Sequence, residues 1–73
     1  MSCYVHHLTD LFEQEGLEYN KSNRQKVDKK IRALLDMPSE HCPVVWQRVK
    51  PMLADQEGRQ NLEQIVREVS RTQ

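Results

Sequence analysis

Apolar residues recur at three- and four-residue intervals in four separate stretches of the chain, and each stretch reads as an amphipathic helix. In the first, Tyr4, Val5, Leu8, Leu11 and Phe12 share one arc of a helix over 2–15, with Ser2 placed to cap it. Gly16 follows, where a residue free to take a positive φ commonly ends a helix. The second stripe is Val27, Ile31, Leu34 and Leu35. It predicts a helix over 23–37, with Asn20, Ser22 and Asn23 as possible caps and Pro38 as the stop.

The third stretch, Pro43 to Leu53, is the densest apolar run and holds the only tryptophan. On a helical wheel Val45, Trp46, Val49, Met52 and Leu53 share a side, and Val44 falls off that arc. Ser39 is placed to cap this helix, and Pro43 suits a first turn, where its missing N–H would have no partner. Pro51 does not suit a helix interior, at a cost of about 3 kcal/mol, so the third helix is expected to end or kink near Lys50. Asp55 then caps a fourth helix over 56–71, whose stripe is Leu62, Ile65, Val66 and Val69. Arg59, Glu63 and Arg67 stand four apart along it.

The pattern predicts one domain over 1–73: an all-α, small four-helix bundle of two helical hairpins, packed around Trp46. Charge sharpens the first hairpin. The first helix carries Asp10, Glu13 and Glu15 and no lysine or arginine, and the acids in its last turn oppose the helix dipole. The second carries Lys21, Arg24, Lys26, Lys29, Lys30 and Arg32 against Asp28 alone, so complementary flanks across a short loop are expected.

Over the whole chain eleven Lys+Arg balance eleven Asp+Glu, which gives no general attraction to nucleic acid or anionic membrane. No apolar run approaches the roughly 20 residues of a membrane span. Two cysteines without a signal-like N-terminus read as reduced thiols of a cytoplasmic protein. A chain this short buries only about 60–65% of its unfolded surface, which makes a homodimer an expectation before any motif is considered.

The residues offer partial material for four kinds of chemistry. Cys3, His7, His41 and Cys42 have the ligand types of a zinc site, but an adjacent His-Cys pair is an unusual donor set. The ordinary reading keeps them as small thiols and surface imidazoles. A nucleophilic Cys42 near a helix N-terminus would still need a base, an oxyanion site and a pocket. Nucleic-acid binding would use Lys26, Lys29, Lys30 and Arg32 on phosphates, although the basic residues spread around the helix instead of forming one stripe. An interaction surface would use Val44 and Trp46, with Met37 and Met52 as adaptable apolar side chains. For Trp46 itself the centre of a small core is the plainer role. The sequence therefore predicts a non-enzymatic interaction module without cofactor, binding itself or another protein, with a nucleic-acid-binding regulator as the alternative.

Overall fold

Capping residues decide where the elements begin and end. The computed structural model describes residues 4–72; Ser2 and Cys3 lie outside them. Within that range the chain is an all-α, four-helix bundle: a 3₁₀ turn at Val5–Leu8, then α1 (Thr9–Gln14), α2 (Lys21–Leu35), α3 (Cys42–Ala54) and α4 (Gln56–Arg71).

The expected first helix is thus split. Val5, Leu8 and Leu11 are spaced by threes, the repeat of a 3₁₀ helix, and all three are buried. Leu11 and Phe12 continue the buried face into α1. Gly16 ends it at φ 70°, with Gly16 N–H donating to Glu13 O and Leu17 N–H to Phe12 O, the paired bonds of a Schellman turn.

Asn20 caps α2, its side chain accepting from Asn23 N–H at 2.8 Å. Buried Asn23 donates from Nδ2 to Glu18 O at 2.8 Å, so its amide fastens the α1–α2 connection. The far end of α2 differs from expectation. Asp36, not Pro38, closes the helix from the left-handed region at φ 56°, and Met37 N–H donates back to Arg32 O. Aspartate is among the few non-glycine residues that tolerate this conformation.

Nor does α3 stop at Lys50; it runs through Pro51 to Ala54. Both Pro51 and Gln47, whose carbonyl loses a donor to the proline, are exposed, so water can take the missing bond. Ser39 does not cap α3. His41 holds that position without a side-chain bond, and Pro43 lies in the first turn as expected. Asp55 alone separates α3 from α4 and caps α4 by accepting from Gly58 N–H at 2.9 Å.

The core is organised on α4 instead of Trp46. Leu62, Ile65, Val66 and Val69 are buried, and α1, α2 and α3 all pack on this helix. Val45 and Val49 face it from α3, and Val27 and Ile31 from α2. Trp46 is only half-buried at the edge of this core, with Met52, Leu53 and Leu35. Leu34, expected within the second stripe, is 52% exposed.

Gly58 permits a close approach of α4 to the last turns of α3. A Cβ there would lie 2.7 Å from Met52 Cα and 2.8 Å from Met52 O, so the one-residue connection needs glycine.

Helix α4 also answers the charges of its neighbours. Glu15, just past the end of α1, pairs with Arg67 at 3.0 Å, and its carbonyl accepts from Ser70 Oγ at 3.1 Å. Lys30 of α2 reaches Glu68 at 3.5 Å. The complementary flanks expected between the first two helices are therefore not made across their own hairpin. Each helix turns a charge toward α4 instead.

Candidate functional site

The most connected polar group is one the sequence did not single out. Tyr4, 2% exposed, donates its phenol to Asp28 Oδ1. Arg32, one turn further along α2, holds both oxygens of the same carboxylate at 3.0 and 3.1 Å through Nε. Its Nη1 donates to Glu40 O, and its Nη2 approaches Cys42 Sγ at 3.6 Å. Burial and the bond to Asp28 push the Tyr4 phenol far above its ordinary range. The network joins the N-terminal turn, α2 and the connection into α3. Its only signal in the sequence is Asp28, the lone acid of a basic helix, four residues before Arg32.

Beside it lies a column of rings. His7 stacks on Trp46 with centroids 4.3 Å apart and planes 12° from parallel, and His6 tilts against His7 at 4.0 Å. Both imidazoles are exposed and the indole is half-buried. The column arises because the 3₁₀ turn buries Val5 and Leu8 and so turns the two residues between them outward.

These contacts place the expected site residues. His7 belongs to the Trp46 stack, and His41 stands exposed at the N-cap of α3. Cys42 is disulfide-bonded, which corrects its reading as a reduced thiol and removes it as a thiolate ligand or nucleophile in this state. Cys3 lies outside the described residues, among which no three His, Cys, Asp or Glu side chains are grouped to hold a metal.

Of the expected interaction residues, Val44 is 37% exposed, while Trp46, Met37 and Met52 are half-buried. Met52 is committed to the α3–α4 crossing beside Gly58. Leu34, the most exposed large apolar side chain described, was missed because its spacing fits the buried stripe.

The basic set separates into two groups. Arg32 is held by Asp28 and Lys30 by Glu68, whereas Lys26 and Lys29 are exposed without an ion pair among the described residues. Arg24 lies over the Tyr19 ring, 5.1 Å from its centroid, and that ring meets Phe12 edge-on at 5.2 Å. The Tyr19 hydroxyl is buried without a hydrogen-bond partner among the described residues. Both arginines of α2 are thus turned toward the protein, and its outer face is left to lysines.

No helix of the described residues is long and apolar enough to cross a membrane. Compared with protein-family models, curated proteins and solved structures, the chain finds no match.

Proposed function

We propose that the protein is a non-enzymatic protein–protein interaction module that associates with itself. The observation that carries this reading is apolar surface outside a core that closes without it. Leu34 and Val44 stand in solvent on either side of the α2–α3 connection, and Trp46 lies half open beside exposed His7. Large apolar side chains near an indole are the usual material of an interface centre. The Tyr4–Asp28–Arg32 network supports a non-catalytic role, because its strongest donors and acceptors are spent on holding chain segments together.

Nucleic-acid binding is the lesser reading, since Lys26 and Lys29 alone remain of its four residues without a counter-ion. A cytoplasmic setting loses the support it drew from reduced thiols, because Cys42 is disulfide-bonded.

Two substitutions test the interaction reading. Leu34→Asp and Val44→Asp should each lower the solution mass toward that of one chain while leaving the helical circular dichroism and the urea midpoint within error. Loss of folding in either variant, or an unchanged mass in both, contradicts it. A salt-sensitive complex with duplex DNA that Lys29→Glu abolishes would favour the alternative.

A further inference from the structure

The outer face of α2 carries a charge pattern that the fold leaves without an answer. At 100° per residue, Ser22, Lys26, Lys29 and Ala33 fall within one narrow arc, and all four are exposed. The helix's single acid, Asp28, points the other way, toward Tyr4 and Arg32. Lys30 flanks this arc, and Leu34 lies beyond it, at an angle within the buried stripe but exposed in the helix's last turn. The result is a lysine-bearing face with small residues near both ends and, past Lys30, an exposed leucine.

The opposite pattern stands on α1. Asp10 and Glu13 are three apart and exposed, without an ion pair among the described residues, and the helix has no lysine or arginine. Within one molecule these acids and the α2 lysines do not meet. Glu15 is taken by Arg67 and Lys30 by Glu68, both on α4. The chain therefore presents an unanswered basic face and an unanswered acidic one at a net charge of zero.

We infer that the lysine face of α2 docks on Asp10 and Glu13 of a second copy, with the reciprocal contact made by the same residues about a two-fold axis. This rests on the self-association proposed above and names its polar contacts. A two-fold interface requires that if one residue meets another, the second meets the first in return, so the lysine face and the Asp10–Glu13 pair meet twice in the proposed dimer. Exposed ion pairs are individually weak, so they set register and partner choice while apolar contact around Leu34 holds the pair. Ser22 and Ala33, being short, let the partner's backbone come near the helix. A nucleic acid fits less well. The arginines that would grip phosphates bidentately are turned inward, and a net charge of zero gives no long-range pull.

The experiment is a charge exchange followed by sedimentation equilibrium of the full chain. Lys26→Glu with Lys29→Glu, and separately Asp10→Lys with Glu13→Lys, should each weaken dimerisation at least tenfold. An equimolar mixture of the two double variants should form a heterodimer with most of the original affinity. Lys50→Glu, a charge on α3 turned well away from Val44 and from the proposed contact, should leave affinity within about threefold, a shift below the roughly 1.4 kcal/mol of a tenfold change. Raising salt from low to high should weaken the wild-type dimer.

A wild-type dimer indifferent to both reversals overturns this inference while leaving self-association standing. So does a dimer that the α3 reversal disrupts instead. Binding of duplex DNA or an acidic peptide to Lys26 and Lys29, with no rescue on mixing, assigns the face to another partner and overturns it too. A wild-type chain that stays monomeric removes self-association and this contact together.

Discussion

Tyr4 and Gly58 show how much of this fold rests on single side chains. The neutral phenol of Tyr4 is favoured by burial and by its bond to Asp28, so its folded pKa lies above the unfolded value near about 10. Its contribution to stability is therefore complete below about pH 10 and declines as pH rises beyond that, where the unfolded chain ionises first. Urea unfolding of the wild type and of Tyr4→Phe between pH 8 and about 11 should give curves that converge at the alkaline end; parallel curves contradict the assignment. Gly58 is the second case. Alanine normally improves a helix by up to about 1 kcal/mol over glycine, but here its methyl would press on Met52 backbone atoms. Overpacking of this kind costs about 1–3 kcal/mol, so Gly58→Ala should lower stability in urea. A stabilised variant would show that α3 and α4 can separate at no cost. Nothing in the sequence marks the role of Gly58, because a close approach between helices leaves no local signature.

At the scale of elements, α1 is the marginal one. Six residues cannot hold a helix alone, and its C-terminal acid opposes the dipole. The sequence signalled that need for help, but the help comes from α4. The Arg67 guanidinium, and the Gln14 amide after it, hold the Glu15 carboxyl below its usual range. A depressed pKa contributes stability above the unfolded value near about 4.3 that is lost as pH falls through the folded one. Glu15→Gln should therefore speed hydrogen exchange of the Leu11–Gln14 amides at pH 7 and remove the acid-induced part of that exchange near pH 3. Equal protection in both proteins at both pH values would contradict the role. The elements as such were largely legible. The 56–71 helix, its Asp55 cap and the Gly16 stop follow from patterns that depend only on nearby residues. What was not legible depended on context. Pro51 is tolerated because water reaches Gln47, and Asp36 replaces glycine at a left-handed cap. Leu34 carries core spacing but faces solvent.

At the scale of the whole molecule the core closes within one chain. The accessible surface is 4872 Å², close to the about 4,700 Å² expected of a folded monomer of 8.7 kDa. Trp46 drew attention in the sequence because a lone tryptophan in an apolar run usually marks a core. Instead the α4 stripe takes the centre and His7 covers one face of the indole. The candidate site was legible only in part. The exposure of Val44 follows from its place off the helical arc, whereas the lysine face depends on Arg24 and Arg32 turning inward, which no local pattern records. The proposed association between copies would thus add to a finished fold, through surface the core does not use. The most direct test is sedimentation equilibrium of the wild-type chain across a range of micromolar concentrations. The account predicts a reversible monomer–dimer equilibrium that weakens as salt is raised. A mass of one chain at every concentration and salt would contradict it.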